Sequence, residues 1–375
     1  MSAESYSGLR VGFVGGGQLA RMAVYRTKKL GLSFVALDPD PHCGAASLVE
    51  ELLVGSLHDE AKLRELAGKV DVLTYDIEHV GVETLSRLES EGVKVFPSPR
   101  ILAVLQDKAE QKNLYVQHGL PVAPFVQKKA SELTEADLPI VQKSRKGGYD
   151  GRGVAVLRSL DQKQFLTGDT FFEEYIPFER ELAVMVARGQ EGQTVVYPVV
   201  EMLFDPELNI CDEVLAPARV SPELAQRAST LALEAVRAVE GVGVFGVELF
   251  LTREGKLLVN EMAPRPHNSG HYTMESCRVC QFENHLRAVC GLPLAEPGFF
   301  TPAVMANLLG SGSGKTVVKG LEQALALEGF SLHLYGKDQC RPGRKMGHFT
   351  IIAATPEEAL ETCRRVKQYL KVTGA

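Results

Sequence analysis

The chain has 375 residues, of which 45% are hydrophobic, and a formal net charge of −6. This length predicts two or three domains with large apolar cores, and the mixed charges predict neither a nucleic-acid-binding face nor a membrane patch. Residues 1–10 are polar and predict no signal peptide, and no apolar run approaches the ~18 residues of a membrane span. Seven scattered cysteines favour a reducing compartment, so we expect a cytoplasmic protein.

The first hundred residues alternate between strand and helix patterns. Strands are predicted at residues 10–15, 34–37, 71–75 and 93–96, with helices at residues 18–30, 58–66 and 82–91. This alternation predicts a parallel sheet with helices on both faces. The glycines at 12, 15, 16 and 17 do not have the GxGxxG spacing, so the turn before the first helix is interpreted as a general anion site. A dehydrogenase with Asp38 as its ribose ligand is the alternative.

The middle of the chain contains a glycine-rich loop, GGYDGRG, at residues 147–153. A helix is predicted at residues 101–118, and strands at 140–143 and 154–157 flank the loop, with a helix after the second strand. Pliable glycines expose backbone N–H groups, and Lys143, Arg145 and Lys146 precede them, which suits a lid over polyphosphate. An ordinary mobile hairpin is the alternative. The segment FFEEYI at residues 171–176, with Glu181 beyond it, could offer backbone groups to a purine and a carboxylate to ribose.

Two glutamates, Glu248 and Glu261, lie on a predicted β-hairpin that follows a helix at residues 222–239. If Glu254 and Gly255 form a two-residue turn, the glutamates lie directly opposite each other on one face, roughly 5 Å apart. Like charges at that separation are destabilising unless a cation neutralises them. Two carboxylates near phosphate are typical of a Mg²⁺ site, although two solvated side chains are the alternative.

Polar residues follow the hairpin and recur near the C-terminus. Arg265, His267, Asn268 and His271 come directly after Glu261, and RPGRKMGH at residues 341–348, with Lys337 nearby, suits a phosphate monoester. A helix is predicted at residues 276–289, and residues 301–375 predict a small α/β piece with two strands around 341–347 and a helix at 356–370. GSGSGKT at residues 310–316 lacks the phosphate-loop spacing and predicts a turn before a helix. The lone Cys277–Cys280 pair predicts neither zinc nor redox chemistry.

These motifs occur in the order expected of an ATP-grasp enzyme. Lys108, Lys143, GGYDGRG, EEYI and the two late glutamates carry that resemblance. Within the superfamily, the chain resembles the N5-carboxyaminoimidazole ribonucleotide synthases over almost its whole length, through GGGQLARM, TYDIEHV, GGYDGRG, NEMAPRPHNSGH, CQFENHLRAV and RPGRKMGH. The resemblance implies an α/β (α+β overall) fold with an N-terminal Rossmann-like parallel-sheet domain at 1–106. It also implies a lid subdomain at 107–170, a central Mg/ATP domain at 171–297 and a C-terminal α/β domain at 298–375.

The resemblance also implies a reaction: ATP, bicarbonate and 5-aminoimidazole ribonucleotide give N5-carboxyaminoimidazole ribonucleotide, ADP and phosphate through carboxyphosphate. ATP is then a co-substrate, Mg²⁺ (or Mn²⁺) the cofactor, and a separate mutase takes the product. A homodimer is implied, and the apolar face of residues 282–289 is compatible with one. The alternatives are another ATP-grasp ligase, a transformylase of the same pathway, and a nucleotide-binding module without turnover.

Site residues are implied position by position. Glu248 and Glu261 would bind the metal, and Asp150, Arg265 and Lys345 would be catalytic, with Asp150 taking the proton from the amine. The ATP ligands would be Lys108, Lys143, Gly147, Gly148, Tyr149, Asp150, Gly151, Arg152, Gly153, Glu173, Glu174, Tyr175, Ile176, Glu181, Asn260 and Glu261. The ribonucleotide ligands would be Gln18, Leu19, Glu78, Tyr149, Asp150, Arg152, His267, Asn268, Lys337, Arg344 and Lys345.

The chain departs from the family pattern at three places. Asp76 and Ile77 stand where the usual form has glutamate and phenylalanine, although Glu78 is kept. A histidine common in the ATP pocket is replaced near Phe204. The run from Lys143 to Lys146 is more basic than usual.

Overall fold

The computed structural model describes residues 8–148, 153–161, 165–205 and 210–375. Three sheets account for its strands, and helices cover or connect them. The family's expected α/β architecture, with an N-terminal parallel sheet, is confirmed.

The first sheet is parallel and has the strand order β3-β2-β1-β4. Its strands are β1 Arg10–Val14, β2 Ser33–Asp38, β3 Glu51–Val54 and β4 Val72–Tyr75. The helices of this part of the chain are α1 Gln18–Thr27, α2 Glu60–Ala67, α3 Val82–Ser90, α4 Pro99–Leu105 and α5 Lys108–Gln117. β3 was not predicted, and the strand predicted at residues 93–96 is reduced to one parallel bridge from Val95 to Leu73.

The helix predicted at residues 101–118 is two helices, α4 and α5. The chain leaves helical geometry at Asp107, whose φ and ψ are −104° and 106°. Its carboxylate accepts hydrogen bonds from the N–H groups of Ala109 (3.1 Å) and Glu110 (3.3 Å), which makes Asp107 the N-cap of α5. The break places Lys108 at the first position of the new helix.

The second sheet is small and antiparallel, with the order β5-β8-β6-β7. Its strands are β5 Phe125–Val126, β6 Ile140–Ser144, β7 Val154–Leu157 and β8 Thr170–Glu174. The glycine-rich loop connects β6 to β7. The helix predicted after β7 falls partly outside the described residues, and no helix is assigned at 158–161 or 165–169.

The third sheet is the largest and is mostly antiparallel; β14, β13, β9, β11, β12 and β15 lie side by side in that order. Its strands are β9 Phe178–Arg188, β10 Thr194–Val196, β11 Val200–Phe204, β12 Cys211–Ala216, β13 Gly243–Thr252, β14 Leu257–Ala263, β15 Ala303–Ser311, β16 Gly314–Lys319, β17 Phe330–Leu334, β18 Gln339–Cys340, β19 Lys345–Ile352 and β20 Lys371–Gly374. The helices of this region are α6 Pro222–Val239, α7 Thr273–Ser276, α8 Gln281–Val289, α9 Leu321–Leu325 and α10 Pro356–Tyr369.

Two expectations for this region are wrong. GSGSGKT lies at the end of β15 and the start of β16, so it is a turn between strands, and the next helix begins only at Leu321. The helix predicted at residues 276–289 is interrupted between α7 and α8. Seven of the eight residues at 282–289 are buried within the chain, so this segment is not an exposed face for dimer formation.

Polar groups on two distant strands satisfy the buried imidazole of His285 on α8. The imidazole of His285 accepts a hydrogen bond from the N–H of Val244 (3.1 Å) at Nδ1 and contacts the hydroxyl of Thr74 (3.0 Å) at Nε2. α8 therefore joins the first and third sheets through paired polar groups. Within the described ranges, no helix is both long and apolar enough to cross a membrane. All seven cysteines are free thiols.

Candidate active site

Glu248 of β13 and Glu261 of β14 are directly paired across the hairpin, as the sequence predicted. Both side chains are partly exposed, to 16% and 34% of their surface, so an ion could reach them. The predicted two-residue turn is nevertheless wrong. The N–H of Thr252 donates to the carbonyl of Lys256 (2.9 Å), which leaves a three-residue loop in which Gly255 has a φ of 74°.

A β-bulge at Asn260 restores the pairing of the two glutamates. Leu249 lies opposite Val259 and Glu248 lies opposite Glu261, so Asn260 is the additional residue on β14. The side chain of Asn260 lies between a cation and a carboxylate. Its Oδ1 accepts a hydrogen bond from Lys143 Nζ (2.9 Å), and its Nδ2 donates to Glu248 Oε2 (3.3 Å). The bulge thus connects β6 to the carboxylate pair.

Three lysines converge on this hairpin. Lys108 pairs with Glu261, and Lys143 contacts Asn260. Lys112, one turn after Lys108 on α5, is 2% exposed and donates to the carbonyl of Val259 (3.2 Å). Sequence reasoning missed Lys112, although its spacing of four residues from Lys108 places both on one helix face.

Glu173 is the anionic partner of two of these lysines. Its carboxylate, 2% exposed, lies 2.8 Å from Lys143 Nζ and 3.1 Å from Lys112 Nζ. Burial alone would raise the pKa of Glu173, but Lys143 and Lys112 outweigh it and hold the pKa below its usual value. Glu173 therefore orients Lys143 through their ion pair, and its buried carboxylate has little exposed surface with which to contact ATP directly.

The pKa values of the two paired carboxyl groups are shifted in opposite directions. Burial, with the charges of Glu261 and Glu181 added, raises the pKa of Glu248. Burial also acts on Glu261, but Lys108 and Lys143 outweigh it, so its pKa is lowered. Burial raises the pKa of Glu181 to about 7. A divalent cation between the two groups would oppose the rise in the pKa of Glu248 and favour its ionised form.

The possible metal ligands at the Glu248–Glu261 pair are carboxylate oxygens, which fit a hard cation such as Mg²⁺. No cluster of three or more His, Cys, Asp or Glu side chains able to hold a metal occurs in the described part of the chain. Two protein carboxylates with phosphate and water completing the shell are the usual arrangement for Mg²⁺.

Arg145 and Asp107 tie the small sheet to α5. The guanidinium Nε of Arg145 lies 3.0 Å from Asp107 Oδ1 and 3.1 Å from Oδ2, and its Nη2 lies 2.7 Å from Oδ2. This bidentate pair gives the basic run after Lys143 a structural role, because it fixes the end of β6 against the cap of the helix that carries Lys108.

Arg265 and His267 extend the site beyond the carboxylates. Arg265 Nη2 pairs with Glu78 Oε1 (2.9 Å), and His267 Nε2 lies 3.5 Å from Glu248 Oε1. Burial, together with Arg265 and Lys345, lowers the pKa of His267 to about 4, so its imidazole is neutral at physiological pH. The structure thus brings Glu78, Arg265, His267 and Lys345 to the same place.

The imidazole of His267 lies directly on β13. A Cβ at Gly246 would stand 2.5 Å from His267 Cβ and 2.8 Å from Cγ, so only glycine leaves room for the ring. Asn268, next along the loop, is engaged differently. Its amide exchanges two hydrogen bonds of 2.9 Å with the amide of Asn307, so it is held by β15.

The C-terminal cations lie on neighbouring segments. Lys337 Nζ donates to the carbonyl of Lys345 (2.6 Å) and lies 5.4 Å from the ring centroid of Tyr335. Arg344 donates to the carbonyl of Gln339 (2.8 Å). Lys345 begins β19, and its charge lowers the pKa of both His267 and His271. Lys337, Arg344 and Lys345 therefore form one basic edge beside the histidine loop.

The anion site expected at the start of α1 already contains carboxylates. Asp38 Oδ2 accepts from the N–H of Gly16 (2.7 Å), and Asp76 Oδ2 accepts from the N–H of Ala20 (3.4 Å). A Cβ at Gly15 would stand 1.9 Å from Asp76 Oδ1, so the glycine turn accommodates this carboxyl group. This interpretation of the turn is corrected, and a dinucleotide pyrophosphate has no room there. Gln18 is half-buried at the same helix end, whereas the side chain of Leu19 lies in the core.

The remaining residues that the resemblance implies as binding residues belong mostly to the glycine-rich loop and to the segment at the end of β8. Tyr149, Asp150, Gly151 and Arg152 lie outside the described residues. Gly147 and Gly153 have φ values of 78° and 79°, a conformation that favours glycine. The remaining lid and strand residues are Gly148 in the loop, Glu174 exposed at the end of β8, and Tyr175 and Ile176 half-buried beyond it. Phe204 ends β11 at an irregularity of the register.

Comparisons with known proteins agree with this architecture. Family models match for the ribonucleotide synthetase preATP-grasp domain (residues 9–106), the ATP-grasp domain (113–282) and the phosphoribosylaminoimidazole carboxylase C-terminal domain (303–362). The N5-carboxyaminoimidazole ribonucleotide synthase of Synechococcus elongatus is 41% identical over 353 residues, which cover 91% of this chain and 89% of that protein. The chain spans 64–69% of the length of the curated phosphoribosylaminoimidazole carboxylases that it also matches.

Solved structures give the same result. The N5-carboxyaminoimidazole ribonucleotide synthetase from Thermotoga maritima superposes with a TM-score of 0.91 at 45% identity, covering 98% of this chain and 100% of that one. The N5-carboxyaminoimidazole synthase from Aspergillus clavatus, in complex with ADP and 5-aminoimidazole ribonucleotide, gives 0.87 at 34% identity, covering 97% and 98%. The paired glutamates, the lysines around them and these matches together establish that the chain is an ATP-dependent ligase of the ATP-grasp superfamily and belongs to the N5-carboxyaminoimidazole ribonucleotide synthase family.

Proposed function

We propose that this chain carboxylates 5-aminoimidazole ribonucleotide with bicarbonate at the expense of ATP, giving N5-carboxyaminoimidazole ribonucleotide, ADP and phosphate. The observation that carries the proposal is the pairing of Glu248 with Glu261 beside Arg265 and His267. A phosphate-activating cation site and a cationic pocket for a small carboxylate would thereby be adjacent, as a reaction through carboxyphosphate requires.

The nucleotide would lie between the small sheet and the hairpin. Lys143 and Lys108, which contact the hairpin, would meet its phosphates. The rings of Phe178 on β9 and Phe250 on β13 are stacked 4.7 Å apart beside them. Glu181 is directly paired with Phe250 and is our candidate for a ribose hydroxyl. Mg²⁺, or Mn²⁺ in its place, would be held by Glu248 and Glu261 and would neutralise charge on the phosphoryl oxygens.

Arg265 would orient bicarbonate so that its oxygen attacks the γ-phosphorus and ADP leaves. Carboxyphosphate then divides into CO₂ and phosphate next to the ribonucleotide, whose exocyclic amine attacks CO₂. Asp150, on the glycine-rich loop, is our candidate to take the proton released as the carbamate forms. A loop that closes over the site would exclude water, which destroys carboxyphosphate.

The ribonucleotide would be bound from two sides. Lys337, Arg344 and Lys345 form the basic edge suited to its phosphate, and Lys345, whose charge acts on His267, is also our candidate to assist the carboxylate chemistry. Glu78, held by Arg265, and Gln18 would meet the base and sugar, with Leu19 contributing only backbone groups. Asn268 would act through the position that Asn307 gives it. Tyr149 and Arg152 stay candidates from the sequence.

We further propose a homodimer in the cytoplasm whose product passes to a separate mutase. The seven free thiols support a reducing compartment. Residues 282–289 offer no dimer surface because they are buried. Sedimentation of the purified chain would give its oligomeric state directly.

The decisive experiment measures phosphate release from ATP with Mg²⁺ and bicarbonate, with and without 5-aminoimidazole ribonucleotide. We expect release to depend on both bicarbonate and the ribonucleotide, with one carbamate formed per ADP. Release supported by formate in place of bicarbonate would indicate a transformylase instead. Rapid release that ignores the ribonucleotide would refute the proposed acceptor.

A further inference from the structure

Gln281, the first residue of α8, forms two hydrogen bonds with the main chain of His267. This fully buried side chain accepts a hydrogen bond from the N–H of His267 at Oε1 (2.9 Å) and donates to the carbonyl of the same residue from Nε2 (2.8 Å). We propose that Gln281 is a positioning residue that fixes the His267 loop so that the imidazole presents its Nε2–H to Glu248. The inference rests on the proposed function, in which Glu248 helps to hold the nucleotide's cation.

The hydrogen bonds define the orientation of the amide without ambiguity. A backbone N–H can only donate, so the group beside the N–H of His267 is the amide oxygen. The Nε2 group has two hydrogens, and it contacts both the carbonyl of His267 and Nδ1 of His271 (3.1 Å). Every polar group of the amide is therefore matched, and a substitute of the same size cannot reproduce the arrangement.

Ser269 sets which nitrogen of His267 carries the hydrogen. The N–H of Ser269 donates to His267 Nδ1 (3.4 Å), and the Ser269 hydroxyl lies 2.8 Å from the same nitrogen. Since a backbone N–H cannot accept, Nδ1 is the acceptor, and the neutral ring must carry its hydrogen on Nε2. That nitrogen is the one that lies 3.5 Å from Glu248 Oε1. An N–H held toward Oε1, with Asn260 Nδ2 at Oε2, would help to fix the orientation in which this carboxylate holds a cation.

The close contact between loop and helix requires a glycine. A Cβ at Gly270 would stand 2.4 Å from Gln281 Oε1 and 2.6 Å from Cδ, so any larger residue displaces the amide. Gly246 on the opposite side leaves space for the imidazole itself. The imidazole of His267 thus packs on β13 and is hydrogen-bonded by Ser269 at Nδ1. The side chain of Gln281 fixes the main chain of His267.

The chain offers a matched control on the same helix. Asn284, also fully buried, accepts a hydrogen bond from the N–H of Ala295 (3.1 Å) and donates one to its carbonyl (2.8 Å). Like Gln281, it thus forms a pair of hydrogen bonds with the main chain of one residue, here in a loop outside the site. Gln281→Met and Asn284→Leu each remove one such pair of hydrogen bonds. Loss of stability should therefore be similar, whereas only the first variant changes His267.

The test is a double-mutant cycle on the whole enzyme. We expect Gln281→Met to lower kcat by about 10–100-fold with the KM for ATP changed less than about threefold. In a His267→Ala background the same substitution should have almost no further effect on kcat, because its target is already removed. Asn284→Leu should lower the melting temperature and leave kcat near that of the parent. A Gln281→Met loss that persists unchanged in the His267→Ala background would overturn the proposal.

A second readout does not depend on turnover, so it separates this proposal from the proposed function. Nitrogen-15 NMR of the histidine side chains, with the His267 signal identified from its loss in His267→Ala, should show the Nε2–H form in the parent. Gln281→Met and Gly270→Ala should each shift that signal or mix the two forms, and Asn284→Leu should not. A His267 signal identical in all four proteins would sink the proposal even if the wild-type reaction is as proposed.

Discussion

The carboxylate of Glu261 pairs with Lys108 and lies opposite Glu248 in the candidate site, so its negative charge acts on both neighbours. Replacing it by glutamine removes the negative charge but keeps the shape. We expect Glu261→Gln to lower kcat/KM by about 10²-fold or more and to weaken the dependence on Mg²⁺. The measurement is ADP formation over a Mg²⁺ titration. Glu254→Gln, in the exposed turn of the same hairpin, should behave like the wild type, and an active Glu261→Gln would remove this residue from the metal site.

The buried carboxyl group of Asp76, directly after β4, makes the stability of the protein depend on pH. Burial, reinforced by Asp38, raises its pKa from 3.8 to about 7 in the folded protein. Between those values the folded chain keeps a proton that the unfolded chain has lost, so this group makes the free energy of unfolding fall as pH rises from about 4 to about 7.

Asp76→Asn cannot titrate, so it should lack that fall. We expect the variant to gain stability relative to the wild type between pH 5 and pH 8, by on the order of 1–3 kcal/mol. Urea unfolding at the two pH values measures the difference. Asp71→Asn, at an exposed carboxylate just before the same strand, should show the same difference at both pH values. An Asp76→Asn difference that does not vary with pH would contradict the assignment.

At the scale of elements, the junction of α4 and α5 determines where Lys108 points. Asp107 is both the cap of α5 and the partner of Arg145. Asp59 caps α2 in the same way, with one carboxylate oxygen accepting from two N–H groups, but pairs with no arginine among the described residues. Asp59→Ala should cost about 1 kcal/mol of stability and leave kinetics unchanged. Asp107→Ala should cost more and raise the KM for ATP severalfold, because Lys108 and the end of β6 lose their common anchor.

Thermal unfolding and ATP titrations of the two alanine variants make this comparison. Equal losses of stability with no change in KM would show that Arg145 contributes nothing to the nucleotide site. An Asp107→Asn variant separates the two roles, since it can still accept the cap hydrogen bonds but no longer pairs as an anion with Arg145.

The sequence was informative for elements with strong periodicity and weak where distant groups decide. Strands β1, β2 and β4 of the first sheet and the helices α6 and α10 were predicted nearly at their observed bounds, because their apolar patterns are regular. The break at Asp107 was not predicted, because the pattern on both sides is helical and the break depends on Arg145, nearly forty positions later. The polar sequence of α8 likewise gave no sign that Gln281, Asn284 and His285 would find partners on other elements.

The carboxylate pair shows a different limit. Two apolar runs on either side of a turn signal identified the hairpin and the shared face of Glu248 and Glu261, and the pairing is confirmed. The turn and the bulge were not predicted, because both depend on which backbone groups bond across the strands. The roles of Lys112, Ser269 and Gln281 were missed for the same reason, since none of them belongs to a recognisable local motif.

At the scale of the whole molecule, His285 connects two sheets through a neutral imidazole. Burial lowers its pKa from 6.5 to about 3. The unfolded chain therefore binds a proton there as pH falls below about 6.5 while the folded chain does not, so the stability that His285 contributes is present above pH 6.5 and lost toward pH 3.

His285→Gln should accordingly destabilise the protein more at pH 8 than at pH 5. The difference in urea unfolding free energy between variant and wild type, measured at both pH values, tests this. The exposed His58, changed to glutamine, supplies the control and should have little effect at either pH. A His285→Gln penalty that is larger at pH 5 would mean that the imidazole is charged in the folded state.

The extra residue at position 260 has a consequence for how the hairpin can vary in length. A strand without it would still bring the two acidic groups face to face, since the ladder from Leu249 to Val259 continues directly to that pair. What a shortened chain would lack is the carboxamide that links Lys143 to Glu248. A one-residue deletion there would thus uncouple β6 from the acidic pair while leaving the pair itself in place, a separation that no point substitution of either acid can achieve.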